Sequence, residues 1–190
     1  MSKVSSDEDL EDINQSASES LRCIEEILEG SFNILRKKGV VEKFKTNEVI
    51  EKVIDMLSWR LKSAGISVRK QLLKETYIVG DRSSFSRIFL NLLLNSVEEL
   101  EMCGKKERYI YIKTWVSEDR FFFSIKDTGR GIRDTLLDDI QNKRFYSSDC
   151  NHLGVGLFFV FNTVRSCFNG EVRIETELGD YTNVEICIPL

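Results

Sequence analysis

The spacing of apolar positions changes several times along the chain, and each change marks an element. Between residues 10 and 38, Leu10, Ile13, Ala17, Leu21, Ile24, Leu28, Ser31 and Leu35 step by three or four along one narrow seam. That pattern predicts one long helix that cannot bury itself and wants a partner helix, as in a bundle or coiled coil. Arg36, Lys37 and Lys38 complement its C-terminal dipole, and Gly39 is the expected stop. A second helix is expected from Thr46, read as its N-cap, to Gly65. Its face is broader: Val49, Ile50, Val53, Ile54, Leu57, Leu61 and Ala64. Short strands follow at "ISVRKQLL" and "TYIVG". Asp81 then caps a third helix, "RSSFSRIFLNLLLNSVEELEM", with Phe85, Ile88, Phe89, Leu92, Leu93 and Val97 inside. The period next falls to two, and "YIYIKTWVSED" and "RFFFSIKD" read as antiparallel neighbours. Residues 133–153 are polar and irregular, residues 154–168 return to helix, and "GEVRIETELGDYTNVEICIPL" closes as a hairpin. This order predicts an α/β (α+β) two-layer sandwich: a mixed, mostly antiparallel sheet covered on one face by helices, with a long N-terminal bundle helix. The expected division is residues 1–40 and residues 41–190.

Composition narrows the class. Of 190 residues, 42% are hydrophobic, enough for a full core. A net charge of −4 argues against broad binding to nucleic acid or anionic lipid. No apolar run approaches the roughly 20 residues that a bilayer crossing needs. The start, "MSKVSSDEDLED", is acidic and polar, unlike a signal peptide. Cys23, Cys103, Cys150, Cys167 and Cys187 form no CxxC pair. Reduced thiols and a cytoplasmic location are the expectation.

Three short stretches carry candidate chemistry. Asn91 and Asn95 share one stripe of the very apolar third helix, with Glu98 three further on. Amides there either hydrogen-bond a neighbouring loop or offer hard oxygen ligands to Mg²⁺. In "DTGRGI", Asp127 ends a strand where its carboxylate can accept from an amine. Gly129 and Gly131 leave room beside it for a flat ring, although DxGxG alone also occurs in plain turns. "GVGL", Gly154 to Leu157, opens a helix, where backbone N–H groups and the dipole favour phosphate, or where glycine is a simple cap. No GK[ST] follows, and no βαβ unit with a later ribose-binding acid surrounds it.

In this order, the three stretches resemble the nucleotide-binding domain of sensor histidine kinases. That domain belongs to the superfamily shared with gyrase, the Hsp90 chaperones and the MutL repair proteins. "NLLLNSVEEL" is similar to the N box, "DTGRGI" to the first glycine box, "RFYSSD" to the phenylalanine box and "GVGLFFV" to the second glycine box. "GDYTNVEICIPL", with Pro189, is similar to the closing hairpin, and the likeness spans about residues 46–190. It implies an ATP-dependent protein histidine kinase with ATP and Mg²⁺ as cofactors. Asp127 would read the exocyclic amine of adenine, supported through water by Thr182, with Gly129 and Gly131 admitting the ring. Asn95 would hold Mg²⁺, with Asn91 supporting the metal and phosphates. Gly154 and Gly156 would cradle phosphates. Ile132, Phe145, Val155 and Leu157 complete the implied cofactor-binding set, and residues 133–153 would form the lid.

Two departures from the family pattern stand out. Glu98 and Asp149 occupy places where many of these kinases carry lysine; Lys143, Arg144 and Arg130 are candidate substitutes. The resemblance also casts residues 10–38 as the second helix of the dimerisation and phosphotransfer hairpin. The phosphoacceptor histidine is then expected outside this chain, since His152 falls in the lid. The implied partners are a phosphoacceptor helix of the same or a related kinase, a response regulator, and a second copy joined weakly through residues 10–38. Two rival readings remain at this point. One is a hydrolase of the gyrase and MutL kind, which needs a glutamate where Asn91 stands. The other is a catalytically weak scaffold that docks a response regulator.

Overall fold

Strict alternation places the sheet's inward face. In β5 (Arg120–Asp127), Phe121, Phe123, Ile125 and Asp127 are buried, and the residues between them face outward. Ile110, Ile112 and Thr114 of β4 (Tyr109–Ser117) continue that face, as do Thr182, Ile186 and Ile188 of β7 (Tyr181–Pro189). The structure, a computed structural model, describes residues 39–133, 137 and 153–190. The expectations for residues 10–38, for the lid and for Phe145 lie outside the described residues. All described elements belong to one unit, Gly39–Leu190.

Five strands make the main sheet, in the order β2 (Ser67–Gln71), β4, β5, β7, β6 (Glu171–Glu177). Only β2 pairs in parallel, with β4; the other pairs are antiparallel. Helices α1 (Thr46–Met56), α3 (Arg82–Met102) and α4 (Leu153–Phe168) build the second layer on the inward face. The central element is α3, about 30 Å long at 1.5 Å per residue. Phe85 on α3 lies 5.5 Å from Phe44 and 5.4 Å from Phe123, ring to ring, so one side chain joins both layers. Asp81 caps α3 as expected: Oδ1 accepts from Ser83 N–H at 3.0 Å and Oδ2 from Ser84 Oγ at 2.6 Å.

Three expectations need correction. The strand "TYIVG" is not in the main sheet. It forms β3 (Tyr77–Asp81) and pairs with β1 (Val41–Lys45), which the sequence pattern did not announce, in a separate two-stranded sheet. In β1 only Phe44 is buried, so no alternation stands out. Thr46 is not an N-cap: it is the first residue of α1, fully buried. Its N–H donates to Thr76 O at 3.1 Å and its hydroxyl to the same oxygen at 3.4 Å. The expected single helix to Gly65 breaks at Leu57 (φ −95°, ψ 4°), and a separate short helix, α2 (Ser58–Ser63), follows.

Candidate functional site

Asp127 ends β5 at an inward position, so its carboxylate enters the helix layer rather than solvent. It is 4% exposed. Ser96 Oγ on α3 donates to Oδ2 at 3.1 Å, and Gly129 N–H donates to Oδ1 at 2.9 Å. Burial pushes its pKa up to about 6; the bonds from Gly129, Ser96 and the Thr182 backbone oppose that rise, and the charge of Glu99 adds to it. A buried carboxylate raised in this way is a functional-site candidate.

Thr182 pairs with Asp127 across β7 and β5. Its hydroxyl lies 3.5 Å from Thr176 Oγ1, which donates to Tyr181 O at 2.8 Å and accepts the Ile132 N–H at 2.8 Å. Thr176 was not singled out from sequence; it locks the far end of the glycine turn to β6. Ile132 itself is buried in the core.

The two glycines answer to the protein's own packing. A Cβ at Gly129 would stand 2.4 Å from Glu99 Cγ and 2.7 Å from Asp127 Oδ1. At Gly131, φ is +70° and a Cβ would meet Glu177 O at 2.2 Å. Glu99 holds the turn from below, accepting Arg130 N–H and Nε at 2.8 Å and Nη2 at 3.0 Å. Burial raises the Glu99 pKa, but the bonds from Arg130 outweigh it and leave the carboxyl below its ordinary value. Arg130, a candidate substitute for the missing lysines, is paired with Glu99 in this structure.

The asparagine stripe faces the start of α4. Asn91 spends its Nδ2 on Arg87 O at 2.8 Å, which fixes the amide and leaves Oδ1 toward α4. A Cβ at Gly156 would lie 3.1 Å from Asn91 Oδ1 and 3.4 Å from Asn95 Oδ1. A side chain there would press on the Asn91 amide, so glycine fits this close approach without displacing it. Gly154 and Val155 stand in the first turn of α4, whose N–H groups have no intrahelical acceptor. Leu157 is buried in the core and seats that turn. One amide oxygen per asparagine suits Mg²⁺, which takes few protein ligands beside waters and phosphates. Among the described residues no cluster of His, Cys, Asp and Glu competes as a metal site. Phe145 lies outside the described residues. No helix among them is long and apolar enough to cross a membrane.

Residues 80–190 match the family model described as histidine kinase-, DNA gyrase B- and HSP90-like ATPase. Sporulation kinase A of Bacillus subtilis is 25% identical over 155 residues, which cover 81% of this chain and 25% of that protein. The signal transduction histidine-protein kinase AtoS of Escherichia coli is 25% identical over 150 residues, 76% of this chain and 23% of that protein. The chain spans a third or less of the length of the curated relatives it matches. Among solved structures, the catalytic domain of histidine kinase ThkA superposes with a TM-score of 0.68 at 19% identity, covering 79% of this chain and 95% of that one. The Acinetobacter baumannii histidine kinase AdeS gives 0.67 at 18% identity, covering 92% and 82%. At these identities the structures speak for the fold.

Proposed function

The chain belongs to the histidine kinase-, DNA gyrase B- and HSP90-like ATPase family, and on that premise we propose that it holds Mg-ATP for transfer of the γ-phosphoryl group to a histidine on another helix. It is the ATP-binding catalytic region of a sensor histidine kinase. The observation that carries the mechanism is Asp127: a buried carboxylate, fixed by Ser96 and Gly129, at the inward end of β5. It accepts the exocyclic amine of adenine, and Thr182 supports it from β7.

The phosphates then lie toward the first turn of α4, whose N–H groups have no acceptor within the helix and whose dipole favours anions. Asn95 Oδ1 is the residue that would hold Mg²⁺, with Asn91 beside it; the ion, when bound, neutralises charge on the phosphates. The imidazole nitrogen attacks phosphorus in line, the P–O bond to ADP breaks, and ADP leaves with the electron pair. The protein contributes positioning and charge complementarity. An amide takes up no proton, so Asn91 supplies no general base for hydrolysis. The phosphoacceptor helix, a response regulator and a weak homodimer through residues 10–38 are the proposed partners, in the cytoplasm.

Equilibrium titration with ATP, with and without Mg²⁺, tests this reading. Mg²⁺ is expected to tighten ATP binding, and Asn95→Ala to lose that gain, about tenfold. No binding at millimolar ATP by the unaltered chain would contradict it.

A further inference from the structure

Lys105 sits in "KKER", the turn between α3 and β4, far in sequence from any of the boxes it touches. Its Nζ lies 2.9 Å from Thr128 O, 2.7 Å from Gly129 O, 2.9 Å from Gly179 O and 3.2 Å from Asp180 O. The first two oxygens belong to the glycine turn after Asp127. The other two belong to the β6–β7 turn, more than 70 residues away. An ammonium has three protons, so four carbonyls saturate it. Among the described residues no carboxylate lies within 4 Å to draw it elsewhere.

The two turns it joins also meet each other: Gly179 N–H donates to Arg130 O at 2.6 Å. Within the first turn, Gly129 turns its carbonyl to Lys105 and its N–H to Asp127 Oδ1. The peptide planes around Gly129 are thus pinned on both sides. Without the ammonium, four carbonyl dipoles converge on an empty point and repel. The turn then relaxes, and the first bond at risk is the one that orients the Asp127 carboxylate.

We infer that Lys105 is a positioning residue for purine selection, acting through the backbone of residues 128–129 on Asp127. The inference rests on Asp127 as the adenine reader. It separates two roles that ordinary loss of stability would merge. A staple that only holds the fold together lowers affinity for every nucleotide alike. A residue that orients the base-reading carboxylate lowers affinity for ATP more than for GTP, because guanine gains nothing from that carboxylate.

The test uses the whole chain and three proteins: unaltered, Lys105→Ala and Lys105→Arg. Calorimetric titration with ATP and with GTP gives the preference, and far-UV circular dichroism checks the fold. Lys105→Ala is expected to weaken ATP about tenfold, the effect of losing a charge-assisted hydrogen bond, and GTP less than about twofold. Propylammonium, the excised part of the side chain, is expected to restore the preference. Lys105→Arg keeps the charge, but its planar fork does not converge on four carbonyls, so a fall of about threefold is expected. An ATP-over-GTP preference unchanged in both variants overturns the inference. An unaltered chain that binds no ATP overturns the functional reading beneath it instead.

Discussion

Lys126 and Asp127 are neighbours on β5 and point to opposite faces of one sheet. Lys126 lies outside, its Nζ 3.4 Å from the centre of the Tyr181 ring. It lines a trough of about 660 Å³ with Arg69, Lys113, Tyr111 and Tyr181. Asp127 lies inside, 4% exposed, with its pKa pushed up to about 6. The open face holds a hollow lined by cationic and aromatic side chains. The inner face spends stability to keep a carboxylate almost wholly out of water. On the inner face it is a buried, hydrogen-bonded carboxylate at a strand end that marks a candidate for chemistry.

The largest effect on that contrast is expected from Gly131→Ala. The new Cβ meets Glu177 O while φ is +70°, so the inner turn must move. A loss of about 3 kcal/mol in chemical denaturation is expected, with nucleotide binding abolished. Gly104→Ala is the sharpening control: φ is +69° there, but nothing lies within 4 Å. It is expected to cost about 1 kcal/mol and to leave binding alone.

A smaller and more diagnostic effect comes from pH. Asp127 titrates near 6 in the fold against 3.8 ordinarily, so the folded state holds the proton more tightly. Its contribution to stability therefore grows as pH falls from about 6 toward 4, by up to about 3 kcal/mol. Adenine needs the ionised form, so affinity moves the other way. Adenosine, which carries no titrating phosphate, is expected to bind about tenfold more weakly at pH 5 than at pH 8. Thermal melts and an NMR titration over the same pH range would show the two opposite slopes, or their absence.

Local signals in the sequence carried much of this. The bounds of α3 follow from the Asp81 cap and an unbroken apolar stripe, and β5 follows from strict alternation up to Asp127. Asn91, Asn95 and Gly156 were legible as candidates, and a Cβ added at Gly156 would lie 3.1 Å and 3.4 Å from the two amide oxygens. What stayed hidden is long-range. Thr176, Glu99 and Lys105 reach the glycine turn from 23 to 44 residues away, and no local pattern announces such bonds. The strand β1 was missed because it buries one side chain, and the Leu57 break because its flanking apolar spacing still reads as one helix. The glycines were legible as necessary, but the reason found is Glu99 and Glu177 pressing on the turn.

The most direct measurement is a calorimetric titration of Mg-ATP into the unaltered chain, Asp127→Asn and Lys126→Ala at pH 8. Asp127→Asn is expected to weaken binding by about a hundredfold without lowering the melting temperature, since an amide in that site carries no charge to desolvate. Lys126→Ala, one residue away on the open face, is expected to change affinity less than about twofold. Equal losses from both substitutions, or none from Asp127→Asn, would contradict the assignment of the inner face as the nucleotide site.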